Sequence, residues 1–158
     1  MLTNILVIIL LSLSSTNSSQ PPNASSYATV TSVVDGDTFD ANIQGKEYRV
    51  RLIGVDTPET KHPTKPVGCY GPEASRYMTT LLPRGTKVVL RLDKEWKDKY
   101  GRMLAYVYVN NTFVNLKLVE EGFAKPMKFY PNVLHAYEFD KAANKAKAEK
   151  VGLWKMCK

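Results

Sequence analysis

Cysteine and histidine are scarce in this 158-residue chain, with two of each. Cys69 and Cys157 form no Cys-x-x-Cys pair, which argues against a structural zinc site. His62 and His135 lack the His-x-x-x-His spacing of a zinc protease, and both are expected to be exposed and inert. No Walker A or Rossmann glycine pattern occurs, so nucleotide-cofactor chemistry has no motif to stand on. No internal repeat is present. Charge is missing altogether from residues 1–20, MLTNILVIILLSLSSTNSSQ, which carry no Lys, Arg, Asp or Glu. Their apolar run, Ile5 to Leu13, is shorter than the roughly 20 residues of a permanent membrane span. It suits the h-region of a secretory signal peptide, with an uncleaved membrane anchor as the alternative. The expectation is a secreted or cell-surface protein, or one anchored through residues 5–13.

What remains is a basic globular chain. Lys and Arg number 22 against 15 Asp and Glu, a net charge of +7 that lies wholly outside the leader. Such a balance favours polyanionic partners, either nucleic acid or an acidic surface. An apolar share of 44% with ordinary Gly and Pro content indicates one domain, large enough to fold without a metal or disulfide staple. In an exported chain the even cysteine pair suggests a disulfide, Cys69 to Cys157, tying a mid-chain loop to the C-terminal segment; two free thiols are the alternative. Asn23-Ala24-Ser25 and Asn110-Asn111-Thr112 are glycosylation sequons, meaningful only where the source modifies them.

Residues 21–28 read as a flexible lead-in segment and 29–156 as the folded domain. Tyr27 to Val34, Thr38 to Ile43 and Lys46 to Val55 are predicted strands, separated by Asp35-Gly36-Asp37 and Gln44-Gly45 turns. In the third, Tyr48, Val50 and Leu52 share one face, and Arg49, Arg51 and Ile53 the other. Pro72 opens a helix that runs to about Leu82. Lys87 to Leu92 and Met103 to Val109 are further strands, with Asn110-Asn111 a hairpin turn. Val114 to Glu121 and Leu134 to Lys150 close the list as helices. Five strands with helices in a basic domain fit a small closed barrel of OB type, an α+β fold.

Val50 to Thr60 is the most informative stretch. Arg51 stands inside a hydrophobic strand, and Asp56 and Glu59 follow at once. The group could be a surface ion pair, or the working parts of a site for phosphate and metal. Asp35-Gly36-Asp37-Thr38 and Asp98-Lys99-Tyr100-Gly101-Arg102 are likewise ordinary turn sequences when taken singly.

Taken together, DGDT, RLIGVDTPETKHP, YGPEAS, DKYGR, LAYVYV, GFAK and GLW resemble the staphylococcal nuclease (thermonuclease) family, in one order from Val30 to Trp154. The resemblance implies a five-stranded OB barrel with three helices. It also implies a calcium-dependent nuclease, with one ion per site, that hydrolyses DNA and RNA with little sequence preference and leaves 3′-phosphate ends. Asp37, Asp56 and the Thr57 carbonyl are then the metal ligands, and Arg51 and Arg102 the phosphate clamps. Glu59 orients or deprotonates the attacking water, and Lys99, Tyr100, Lys128 and Tyr130 contact the substrate. A hard divalent cation takes such oxygen ligands. Guanidinium forks meet charge building on phosphoryl oxygens, and Glu59, beside two arginines and a cation, is expected to stay ionised. The family's second nucleotide-contacting tyrosine is replaced here by Lys128, and the charged loop before Tyr100 is one residue short. Arg51→Ala and Glu59→Ala are expected to abolish most cutting and leave the fold intact. A monomer with no protein partner is expected. The alternatives are a barrel that binds nucleic acid without cutting it, and a basic domain that attaches to acidic cell-surface polymers.

Overall fold

A computed structural model describes residues 24–158, so the expected leader lies outside the described residues. The first strand, β1 (Ser25–Asp35), pairs with two neighbours along different halves of its length. Ser25 to Thr29 lie against β5 (Lys87–Arg91), and Thr29 to Asp35 against β2 (Thr38–Ile43). Irregularities after Val30 and Val33 bend the strand where the partners change. β2 pairs antiparallel with β3 (Lys46–Leu52), which pairs parallel with β6 (Met103–Val109), and β6 returns to β5. The five strands therefore close into a barrel of OB type. Gln44-Gly45 and Asn110-Asn111 both have positive φ at each central residue, the geometry of a type I′ hairpin turn.

Inward-facing side chains fill the barrel: Val30, Phe39, Val50, Leu52, Leu90 and Val107 are buried. Around it pack α1 (Gly71–Leu81), α2 (Val114–Glu120) and α3 (Ala136–Ala148). A fourth, short helix, α4 (Leu153–Met156), was not expected from the sequence. Short strands β4 (Val55–Asp56), β7 (Thr112–Phe113) and β8 (Lys125–Pro126) complete the set. Asn115, fully buried on α2, accepts from the Val107 N–H at 2.9 Å and donates to the Ile53 carbonyl at 2.8 Å, tying helix to barrel.

The third strand ends earlier than its period suggests. Gly54 has φ +78°, and a Cβ there would lie 2.4 Å from the Phe139 ring of α3. The chain turns over that ring, and Val55–Asp56 leaves the barrel to pair with β8. His62 is exposed, as expected, but His135 is not. Its ring sits 4.6 Å from Tyr106 and 4.9 Å from Phe113, partly enclosed by an aromatic cluster that only the β7 hairpin and α3 bring together. Cys69 and Cys157 form a disulfide, with Cα atoms 5.8 Å apart. No helix among the described residues is long and apolar enough to cross a membrane.

Candidate active site

β2, β3 and the loops after β1, β3 and β5 converge on one cleft of about 360 Å³. Asp35, Asp37, Arg51, Asp56, Thr57, Glu59, Tyr100, Arg102, Met127 and Phe129 line it with Thr38. The strands deliver two of these groups directly, since Thr38 and Arg51 are register partners across β2 and β3.

Arg51 is only 4% exposed, so it does not extend out of its strand into solvent. Its Nη1 donates to the carbonyls of Leu52 at 2.8 Å and Val55 at 2.7 Å. Nη2 donates to Asp56 Oδ1 at 3.0 Å and lies 3.2 Å from Asp37 Oδ2. The Phe129 ring covers the guanidinium, its centroid 5.4 Å from Cζ. Four acceptors and a ring fix this cation in one orientation, which a single-point ammonium could not reproduce. Among the described residues its Nε has no acceptor and remains available.

Asp37 is buried and strongly held. Oδ2 accepts from the Thr57 N–H at 2.9 Å and the Thr57 hydroxyl at 3.1 Å, and Oδ1 from the Thr38 hydroxyl at 2.9 Å. Asp56 is different. Burial pushes its carboxyl above the ordinary aspartate range; Arg51 opposes the shift, and the charges of Asp37, Glu59 and Asp35 add to it. A cation would stabilise carboxylates crowded in this way. Asp37 Oδ1 keeps a lone pair, Asp56 Oδ2 has no partner among the described residues, and no donor among them reaches the Thr57 carbonyl. These oxygens fit a hard divalent ion. Among the described residues no three His, Cys, Asp or Glu side chains could hold one unaided. Water and substrate oxygens would have to complete the shell.

Glu59 is exposed at the cleft edge, and its carboxyl lies below the ordinary range. The cause differs from the sequence expectation. The backbone N–H of Lys61 lowers it most, then that of Thr60, donating to Oε1 at 2.8 and 3.0 Å; His62 and Lys65 add smaller contributions. The arginines are not the source. The loop itself is pinned. The Thr60 hydroxyl donates to Asp35 at 2.7 Å, the Gly68 N–H donates to the Glu59 carbonyl at 2.7 Å, and Cys69 is bridged to Cys157.

Arg102 reaches the cleft from the loop after β5. Its Nε donates to Asp98 Oδ2 at 2.7 Å, while Asp98 Oδ1 accepts from the Arg102 and Tyr100 N–H groups, each at 2.9 Å. Tyr100 lies beneath the guanidinium at 5.2 Å and beneath Lys99 at 5.0 Å. Three sequence-predicted contacts stand apart from the lining. Lys99 is exposed beside Tyr100, Tyr130 is 77% exposed, and Lys128 lies 3.8 Å from Asp140. Phe129 and Met127 line the wall instead. Asn132 sets that path by exchanging hydrogen bonds with the Glu95 backbone at 2.7 and 2.8 Å. Asp35 and Asp98 are residues that sequence reasoning left without a role, whereas Phe129, considered beside Tyr130 for base stacking, does line the cleft. The Asp-x-x-Gly turn spacing was the available signal for Asp98.

Fold and cleft together define an OB barrel carrying an arginine–carboxylate site at its rim. Residues 49–156 match the family described as staphylococcal nuclease homologue, and the chain belongs to that family. It is 42% identical over 122 residues to the thermonucleases of Staphylococcus intermedius and Staphylococcus hyicus, covering 77% of this chain and 72% of each relative. It is 41% identical over 128 residues to endonuclease YncB of Bacillus subtilis (strain 168), covering 80% of this chain and 60% of that protein.

Proposed function

We propose that this protein is a calcium-dependent nuclease that hydrolyses phosphodiester bonds of DNA and RNA with little sequence preference and leaves 3′-phosphate ends. One observation carries the reading: two arginines, the Asp37–Asp56–Thr57 oxygens and an ionised Glu59 share a single cleft. Calcium held by those oxygens would supply Lewis-acid polarisation of the phosphoryl group.

The chain's own groups account for the rest. Arg51 and Arg102 stand ready for the charge that grows on the equatorial phosphoryl oxygens during attack, and neither needs to reorganise at that moment. The Arg51 Nε and the terminal nitrogens of Arg102 are the donors without protein acceptors among the described residues. Glu59, held anionic by two backbone N–H groups, accepts a hydrogen bond from water and aims it at phosphorus. Tyr100 and Phe129 offer ring faces to the adjoining bases, a contact that tolerates any base and so fits weak sequence preference. The Cys69–Cys157 bridge supports export to an oxidising compartment.

Incubation with plasmid DNA and with RNA, in calcium or in excess chelator, tests the proposal. Degradation of both in calcium and of neither in chelator is expected, and end-labelling should find 3′-phosphates. Binding without cleavage in any divalent metal would overturn it.

A further inference from the structure

We infer that the outer face of β1, β5 and β6 is a second, non-catalytic site that holds a single-stranded segment of the nucleic acid being cut. The inference rests on the nuclease reading for its ligand, and on a separate region for its evidence. Along β5, Val88 and Leu90 point into the barrel, so Lys87, Val89 and Arg91 point outward. Val89 is the register partner of Tyr27 on one side and Tyr108 on the other. These residues line a groove of about 310 Å³, closed at one end by the Asn110-Asn111 turn.

Three features suit this groove to single-stranded nucleic acid. Tyr27 is 82% exposed and presents a ring to solvent. Arg91 lies over Tyr108 at 4.8 Å, and Tyr108 in turn stacks on Phe113 at 4.7 Å, so the guanidinium rests on a fixed platform. No carboxylate among the described residues pairs with Arg91 or Lys87, whereas Arg49, Arg51, Arg76 and Arg102 are all ion-paired. Glu138, whose charge acts on Tyr108, is itself bonded to His135. An exposed ring between two uncompensated cations matches unstacked bases on a phosphate backbone. Duplex DNA keeps its bases stacked and would leave Tyr27 unused. Tyr27 and the cleft residue Asp35 stand on the same strand, no more than about 26 Å apart. That span is within the roughly 4–16 nucleotides an OB barrel covers.

The test uses the whole protein, made in a host without N-glycosylation, and a fluorescein-labelled 20-nucleotide oligo-dT in chelator. Tyr27→Ala and Arg91→Ala should each raise its Kd about tenfold. Arg91→Ala should also reduce the dependence of log Kd on log salt by about one. Both variants should cut a dinucleotide-sized substrate with unchanged kcat and KM. An unchanged Kd, or parallel losses on the small substrate, would overturn the second site. So would equal weakening of polyphosphate binding by Tyr27→Ala, because that would exclude base stacking. A wild-type protein that cuts nothing would overturn the nuclease reading, and the Kd comparison would still decide this one.

Discussion

Removing the Arg51 side chain would leave Asp37 buried beside Asp56 with no cation between them. Arg51→Ala is therefore expected to lower stability by about 3 kcal/mol as well as activity, contrary to the simple expectation of an intact fold. Arg51→Lys separates the two effects. Urea titration should find most of the stability restored, while kcat stays about 10²–10³-fold down because lysine has no donor at the position of the free Nε. Asp98→Ala should reduce kcat about tenfold by freeing Arg102 from its Nε anchor, with the circular dichroism spectrum unchanged. Asp40, which is not among the cleft-lining residues, offers a pH measurement. Its hydrogen bond with Arg49 holds the carboxyl below the ordinary aspartate range, so the folded state binds this proton more weakly than the unfolded chain does. The stabilisation is present above the unfolded value and disappears as pH falls through the folded one. Urea midpoints of the wild type and Asp40→Asn should differ at pH 6 and converge near pH 2.

Elements differed in how far sequence alone disclosed them. β2 and β6 match their expected limits because period-two patterning over a buried core leaves little freedom of register. β3 was read too long because Gly54 serves a ring supplied by α3, a non-local partner that strand periodicity does not encode. The burial of Arg51 was hidden for a similar reason. Alternation assigns it to the outer face of the strand, and only the Asp56 loop and Phe129 cover that face. Which of Phe129 and Tyr130 lines the cleft depends on the Asn132 clamp, 37 residues away in sequence from its partner Glu95. The seven motif residues that do share the cleft were legible because their chemical types and order match a family. Asn115 tests the joint between α2 and the barrel. Asn115→Ala leaves the Val107 N–H and the Ile53 carbonyl buried without partners, and should cost about 2–4 kcal/mol in urea unfolding.

At the scale of the whole molecule, charge and covalent connection were readable and their coupling to the cleft was not. A net charge of +7 pointed to polyanions without saying which face receives them. Cysteine parity pointed to a bridge without showing that Cys69 stands one residue past the Gly68 contact with Glu59. A loop closed over a sequence separation of 88 should contribute about 4 kcal/mol, so Cys69→Ser with Cys157→Ser should lower the urea midpoint accordingly. The same bridge also imposes an order in time. On a ribosome, Cys69 emerges long before its mate, so the carboxylate arm of the cleft is fastened only after Cys157, 88 positions further on, has followed. The link that closes last therefore fixes the segment next to Glu59, and the cleft takes its final form only once the C-terminal segment is in place.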